Sequence, residues 1–236
     1  MITIVLKDIQ LPENLGMIAR SMLNFNLMNL SVVNPLYADI INDAKASSCG
    51  ALDIINVNIY DDLSNALSNA NLVVALSARQ RDLTTQHLSI TDLPHIINQQ
   101  SNDSKIAILF GCEKNGLSNN DIANANYIVS IPTNKDFGSL NIANAVAIVC
   151  FYIKQNLSYN KVKSINNMAL FTELDYFYND LFTKLSSVGF FSERTREQIT
   201  KNNVKAIFKK ANLTSNEIKT LIGINKMLYG RQQKNF

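Results

Sequence analysis

The 236-residue sequence lacks several features that mark common protein classes. Its three cysteines, Cys49, Cys112 and Cys150, are odd in number and widely spaced, so we predict neither a disulfide framework nor a zinc site, and a reducing cytoplasm is the expected location. The longest apolar run, 145–153, is far shorter than the roughly 20 residues that a membrane helix needs. Residues 1–6 have no basic start and do not resemble a secretory signal. We therefore expect no metal and no membrane partner.

Glycine is also scarce, with eight residues in the chain. No G-x-G-x-x-G sequence follows a predicted strand, which argues against the usual dinucleotide-binding fold. No G-x-x-x-x-G-K-[ST] sequence occurs either, which argues against a P-loop nucleotide hydrolase. The few glycines that are present are therefore informative about where the backbone makes tight turns or close approaches.

The net charge of +3 hides an uneven distribution. Residues 1–153 carry 8 basic and 13 acidic side chains, whereas residues 184–236 carry 11 basic and 3 acidic ones. A basic end on a mildly acidic body favours a polyanionic partner such as a nucleic acid, although a solvated helical face would give the same charge count.

The first two thirds of the chain alternates short β-branched runs with helical patterns. This alternation predicts a mostly parallel sheet with helices on both faces. The predicted strands are 2–6, 30–33, 54–59, 71–76, 105–110 and 127–131. The predicted helices lie near 13–25, 61–69, 92–100 and 118–124, and a further long helix is expected to begin at Ser139 as its N-cap.

The pattern changes near residue 156, and the chain divides into three predicted parts. Residues 1–155 form the α/β domain, the polar stretch 156–167 is a linker, and 168–236 form a small, basic, all-helical extension. In the extension, one helix is expected to start after Thr195, and another at Thr214 with Glu217 as its capping-box partner.

Three segments contain candidate catalytic or ligand-binding residues. The first, 12–20, follows the first strand and contains Asn14, Gly16 and Arg20, with Arg20 off the apolar helix face and free to line a cleft. The second, 110–117, has Gly111 and Gly116 on either side of Glu113, directly after an apolar strand. Taken alone, the first segment is more simply explained by an ordinary solvated arginine, and the second by a plain strand-to-helix turn.

The third segment, 131–145, brings a proline, a glycine and a polar cluster to the start of an apolar helix. Ser139 and Asn141 in that cluster are either caps or ligand contacts, because free amides at a helix N-terminus suit a carboxylate or a phosphate.

Taken together, the three segments resemble the SpoU-type branch of the SPOUT methyltransferases. They match, in order, N-x-G-x-x-x-R, F-G-x-E-x-x-G-L, and I-P followed by S-L-N-x-x-x-A. Residues 46–53, 76–79 and the extension 208–224 resemble further blocks of the TrmJ-type tRNA 2′-O-methyltransferases within that branch, so the similarity covers nearly the whole chain. Three positions depart from the pattern: Leu76 replaces a usual threonine, Gly138 a usual serine and Asn26 a glycine.

The resemblance implies an α/β domain with a C-terminal trefoil knot, S-adenosylmethionine as cofactor and a homodimer in which Arg20 approaches the partner's pocket. The implied catalytic residues are Arg20, Asn14, Glu113, Ser139 and Asn141. The implied cofactor-binding residues are Leu76, Ser77, Ala78, Gly111, Ile131, Gly138, Ser139 and Leu140.

The reaction implied is methyl transfer to a ribose 2′-hydroxyl of tRNA, at pyrimidine 32 of the anticodon loop. DNA is excluded as substrate because only RNA offers that hydroxyl. Arg20 and the helically spaced residues Lys201, Lys205, Lys209 and Lys210 are predicted to contact the RNA phosphates. Two alternatives stay open: the same chemistry on ribosomal RNA, and a non-catalytic RNA-binding protein on the same scaffold.

Overall fold

The computed structural model describes residues 1–78, 85–156, 168–191 and 194–232. In these residues, seven strands form one sheet in the order β3-β2-β1-β6-β4-β7-β5, and every neighbouring pair is parallel. The strands are β1 (Ile2–Lys7), β2 (Asn29–Val33), β3 (Asn56–Tyr60), β4 (Leu72–Leu76), β5 (Gln86–Ser89), β6 (Ile106–Phe110) and β7 (Tyr127–Ser130). Because all strands point the same way, their carboxyl ends share one edge of the sheet.

Helices cover both faces of this sheet. The α-helices of the described residues are α1 (Pro12–Asn24), α2 (Ile40–Asp43), α3 (Lys45–Ser48), α4 (Leu63–Leu67), α5 (Leu93–Asn98), α6 (Asn119–Ile122), α7 (Ile142–Asn156), α8 (Phe171–Ser187), α9 (Arg194–Lys210) and α10 (Ser215–Gln232). Short 3₁₀ turns occupy Ala51–Asp53 and Ile90–Asp92.

The alternation of side chains along the strands divides the apolar core in two. In β1, Ile4 and Leu6 pack on one face with α1, α5 and α7, whereas Val5 packs on the other face with α4 and α6. The central strand β6 is buried along its whole length. Continuously apolar central strands are therefore required here, because both faces of the sheet are covered.

A third core holds the helical extension together. Aromatic and aliphatic side chains of α8 pack against α9 and α10. The ring centroids of Phe177 and Phe208 are 4.9 Å apart in an edge-to-face arrangement. The Thr214–Glu217 capping box starts α10, as the sequence predicted. The extension contacts the sheet domain, for example through the Phe171 N–H, which donates to the Ala70 carbonyl at 2.8 Å.

The predicted fold class is confirmed: the sheet is parallel, it is covered on both faces, and an all-helical segment follows it. All six predicted strands are present, but β5 was not predicted because its short sequence, Gln86–Ser89, is largely polar. The prediction that a helix starts after Thr195 is wrong, since α9 already begins at Arg194. The trefoil knot and the division at 155 and 168 stay predictions, and residues 157–167 of the linker lie outside the described residues.

No helix within the described residues is long and apolar enough to cross a membrane.

Helix α1 carries the first motif, and its ends and its packing are set by single residues. Pro12 at its first position fixes φ for the helical turn. Its end is followed by Asn26 with φ of 60°, so asparagine supplies the left-handed residue that glycine usually provides. In the middle of the helix, Gly16 lies directly against α3, and a Cβ there would stand 2.4 Å from the Ala44 carbonyl oxygen and 2.8 Å from the Ser48 nitrogen.

We expect Gly16→Ala to destabilise the protein although alanine is the better helix former. The new methyl group would collide with backbone atoms of α3 that cannot turn away, and such overpacking costs about 1–3 kcal/mol. Gly223→Ala is the matched control, because Gly223 lies in α10 and a Cβ added there would meet nothing within 4 Å, so the change should stabilise by up to about 1 kcal/mol. Urea unfolding of both variants measures the difference, and equal effects of the same sign would contradict the close packing of α1 on α3.

Candidate active site

A cleft opens at the carboxyl ends of β4, β6 and β7. Ligands of open parallel sheets bind at this edge, because the loops that leave neighbouring strands converge there. All eight residues predicted for cofactor binding line the cleft: Leu76, Ser77, Ala78, Gly111, Ile131, Gly138, Ser139 and Leu140. Sequence reasoning missed Cys112 and Thr133, which also line it.

The loop after β6, residues 111–117, forms one wall. Its ends meet: the Gly116 N–H donates to the Cys112 carbonyl at 2.9 Å, and Gly116 has φ of 63°. A Cβ on Gly111 would lie 2.2 Å from the carbonyl carbon of Gly116. Both glycines are therefore required by the turn itself, and they bring backbone groups to the surface of the cleft.

The segment between β7 and α7 forms the opposite wall. The Thr133 hydroxyl donates to the Gly138 carbonyl at 3.2 Å, which holds this loop closed on itself. The prediction that Ser139 caps the following helix is wrong, because α7 begins at Ile142. Asn141 takes that position, and its Oδ1 accepts a hydrogen bond from the Ala143 N–H at 2.7 Å. Ser139 is thereby left in the cleft wall with its side chain exposed.

A chain of hydrogen bonds joins the three motifs behind the cleft. Asn141 donates through Nδ2 to Oδ1 of Asn14 at 2.9 Å, and Asn14 donates through its own Nδ2 to Oε1 of Glu113 at 3.1 Å. Asn14 is 3% exposed, so its side-chain amide makes both hydrogen bonds from a buried position. Buried amides of this kind are costly unless they are paired, and here each partner comes from a different motif.

Glu113 also caps helix α1 from outside. Its carboxylate accepts hydrogen bonds from the Gln10 N–H at 3.2 Å and the Leu11 N–H at 3.1 Å. Leu11 is the N-cap residue of α1 and offers no side-chain cap of its own. A carboxylate at this end also interacts favourably with the helix dipole. The loop that walls the cleft is therefore attached to the start of the helix that carries Arg20.

Arg20 itself does not line the cleft of its own chain. Its side chain is exposed, and its Nη1 donates to the Cys49 sulfur at 3.4 Å, at the left-handed turn that ends α3. No pattern in the sequence indicates this contact, because Cys49 is 29 residues away and has no partner at a recognisable spacing. The structure therefore brings Asn14, Glu113 and Asn141 together, leaves Ser139 on the cleft wall and places Arg20 outside it.

The four lysines predicted to contact RNA are not equivalent. Lys210 is exposed, whereas Lys201 pairs with Glu197 at 2.6 Å and lies over the ring of Phe191. Lys205 lies over the ring of Tyr178, and burial lowers its pKa. The prediction that Lys209 contacts the RNA is wrong, because this lysine is buried.

Lys209 is 6% exposed, and its ammonium donates to the Ala123 carbonyl instead of facing solvent. Its side chain lies on the face of α9 that packs inward, so it cannot take part in a surface row of cations.

Among the described residues, no cluster of three or more histidine, cysteine or acidic side chains could hold a metal ion. The cleft offers apolar walls, hydroxyl groups, backbone polar groups and the Glu113 carboxylate, which hydrogen bonds join to the amides of Asn14 and Asn141. A cleft at the carboxyl edge of a parallel sheet is the place where α/β enzymes commonly hold a small ligand between two loops.

Comparison with known proteins identifies the family. The model of the SpoU rRNA Methylase family matches residues 1–151, and the chain belongs to that family. The tRNA (cytidine/uridine-2′-O-)-methyltransferase TrmJ of Photorhabdus laumondii is 33% identical over 230 residues, which cover 94% of each chain. The TrmJ of Salmonella typhimurium is 32% identical with the same coverage. The crystal structure of TrmJ from Z. mobilis superimposes with a TM-score of 0.84 at 28% identity and covers 97% of this chain and 99% of that chain.

Proposed function

We propose that this protein transfers a methyl group from S-adenosylmethionine to a ribose 2′-hydroxyl of tRNA. The observation that carries the proposal is the cleft, which collects all eight residues predicted for the cofactor and is joined by hydrogen bonds to the helix of Arg20. The match to TrmJ relatives along 94% of the chain supports the same activity. These relatives cover the helical extension as well, which favours tRNA over the ribosomal RNA that the family description names.

The residues of the cleft fit S-adenosylmethionine. Leu76, Ile131 and Leu140 offer apolar surface for an adenine ring, and the backbone groups beside Gly111 suit polar parts of the cofactor. Leu76 stands where relatives of this type usually carry a threonine, so this contact is apolar here. The cofactor supplies an activated methyl group on its sulfonium, so that the protein has to align the acceptor and help to remove one proton.

Arg20 is the residue proposed to act on the RNA. A guanidinium stays protonated in proteins and is a poor base, but it binds phosphate and hydroxyl oxygens through several N–H groups. We assign to it the anchoring of the target phosphate and 2′-hydroxyl. We also assign to it the part in proton removal that the resemblance implies, with the RNA phosphate assisting and the proton passing to solvent. Glu113, Asn14 and Asn141 would hold the start of its helix against the cofactor loop, and Ser139 would contact the ligand from the opposite wall.

A homodimer would complete the site. Arg20 lies outside the cleft of its own chain, so its proposed role needs a second subunit whose cleft it can reach. Met17, one turn before Arg20 on α1, and Phe151 on α7 are large apolar side chains that stay more than 40% exposed. A face of α1 and α7 with such side chains is suited to bury against a partner, and a two-fold contact would place each Arg20 near the partner's cofactor.

The remaining parts of the chain take supporting roles in the proposal. Residues 1–155 would form the catalytic domain with its trefoil knot, and 168–236 an accessory RNA-binding domain in which Lys201, Lys205 and Lys210 contribute phosphate contacts. The target nucleotide proposed is the pyrimidine at position 32 of the anticodon loop, and the cell compartment proposed is the cytoplasm.

The proposal predicts methyl transfer from labelled S-adenosylmethionine to unmodified tRNA transcripts, with the label on a 2′-O-methyl ribose in the anticodon loop. Arg20→Ala should reduce transfer at least about 100-fold, the order of a lost positioned catalytic group, while cofactor affinity measured by calorimetry stays nearly unchanged. Turnover by Arg20→Ala at the normal rate would contradict its assignment.

Ribosomal RNA fragments serve as competing substrates in the same assay. Label on those fragments but not on tRNA would favour ribosomal RNA as the substrate. RNA binding without any calorimetric signal for S-adenosylmethionine would favour a non-catalytic protein on the same scaffold.

Mixing two inactive variants tests whether two subunits build each site. Ala78→Trp should block the cofactor cleft without unfolding the chain, because Ala78 lines the cleft and is exposed. When Ala78→Trp and Arg20→Ala subunits are unfolded and refolded together, half of the dimers are mixed and one of their two sites is intact. The expected activity is about a quarter of the wild-type value under two-fold symmetry. No recovery would show that Arg20 serves its own subunit.

A further inference from the structure

Lys209 is a buried charged residue that the proposed chemistry does not use. It lies near the end of α9, 6% exposed, and its Nζ donates to the main-chain carbonyl of Ala123. Ala123 is the C-cap residue of α6, 86 positions earlier in the chain. A lysine is almost never buried without a specific partner, because its ammonium loses hydration. Desolvation lowers the pKa of Lys209 well below its usual value, which is the signature of that cost.

Two amide contacts flank this lysine and join the same two parts of the chain. Asn202 Nδ2 donates to Asn120 Oδ1 at 3.3 Å on one side, and Asn212 Nδ2 donates to the Tyr127 hydroxyl at 3.1 Å on the other. The charged groups that face Lys209 are Lys205 on α9 and Asp175 on α8. Helix α9 and the turn after it are therefore attached to α6 and β7 by three polar contacts, of which the Lys209 contact is the middle one along both segments.

Helix α6 is the direct continuation of the cofactor loop. Ser118 caps it in a reciprocal box with Asp121, and Leu117, one residue earlier, already lines the cleft. The loop 111–117 is closed by its Cys112–Gly116 hydrogen bond and has no spare length. From the sheet, the Lys7 ammonium forms an ion pair with Asp121 of α6, with 3.6 Å between Nζ and Oδ1. A displacement of α6 must therefore move the wall of the cleft.

We propose that Lys209 is a positioning residue for the cofactor loop: it fixes the end of α6 to the helical extension and thereby sets the loop 111–117. The inference rests on the proposed function in so far as this loop binds S-adenosylmethionine. It connects the extension, which is expected to contact the RNA, with the wall of the cofactor cleft. A lysine at this position acts through α6, so it does not touch the reacting groups.

A purely structural role makes a different prediction. An apolar side chain of similar length removes the desolvation cost of the ammonium, and such replacements of buried charges are often neutral or stabilising. If Lys209 served only packing, Lys209→Met would fold normally and leave the cofactor loop unchanged. If it positions α6, the Ala123 carbonyl loses its donor and the loop becomes looser even when the whole protein stays stable.

Amide hydrogen exchange on the full chain separates these outcomes, with Lys219→Met as the control because Lys219 is an exposed lysine on α10 of the same extension. We expect Lys209→Met to speed exchange in residues 111–124 by at least about fivefold, and Lys219→Met to leave it unchanged. Unchanged exchange in Lys209→Met would overturn the inference. Faster exchange confined to α9 would overturn it too, because the effect would then not reach the loop.

Cofactor titration keeps this inference distinct from the proposed function. If wild-type protein binds S-adenosylmethionine, Lys209→Met should weaken that affinity by at least about fivefold and Lys219→Met should not. If the wild type does not bind it, the proposed function fails, and the exchange experiment still decides the role of Lys209. Should Lys209→Met fail to fold, the double variant Asn202→Ala with Asn212→Ala removes the two other contacts between the same segments. It is expected to show the same faster exchange in the loop 111–117. Exchange at the wild-type rate in the loop of this double variant would overturn the inference.

Discussion

The buried side-chain amide of Asn14 is the interaction on which the arrangement of the site depends. It accepts a hydrogen bond from Asn141 and donates one to Glu113, so one side chain joins its own helix to two segments that lie 127 and 99 residues further along the chain. An amide has both a donor and an acceptor group, and it can join an amide on one side to a carboxylate on the other. A leucine or an aspartate of similar size at this position could make only one of these bonds or neither. The start of α1, the loop 111–117 and the start of α7 are therefore fixed relative to one another by polar contacts that a shift of any one segment would break.

The parallel sheet makes this interaction possible. Because β1 lies beside β6, the segments that follow these two strands leave the same edge and meet directly, which brings Glu113 against the N-terminus of α1. Close backbone packing then removes the remaining freedom, through Gly16 against α3 and Gly111 against Gly116. This packing explains why glycine occupies these two positions in a chain that contains few glycines. A side chain at either position would collide with backbone atoms.

The sequence was sufficient to predict the parallel sheet, its two covered faces and eight of the residues that line the cleft. The sheet follows from local patterns, such as the apolar run of β6, whereas the cleft residues were implied by the resemblance of three motifs to a known family. What it could not predict depends on packing between distant segments. Ser139 and Asn141 are both good capping residues, and it is Asn141, held by its distant contact with Asn14, that caps α7. Lys209 shares helical spacing with Lys201 and Lys205, but its face of α9 packs inward, which no periodicity of charge could reveal.

A double-mutant cycle on Asn14 and Asn141 measures directly whether one hydrogen-bond chain holds the three motifs together. Urea unfolding of Asn14→Ala, Asn141→Ala and the double variant gives the free energy that couples the two side chains, and residues in one hydrogen-bond network usually couple by about 0.5–3 kcal/mol. We predict that the double variant is less destabilised than the sum of the two single variants by an amount within that range. Additive effects would show that the two amides act independently and would contradict the central role of Asn14.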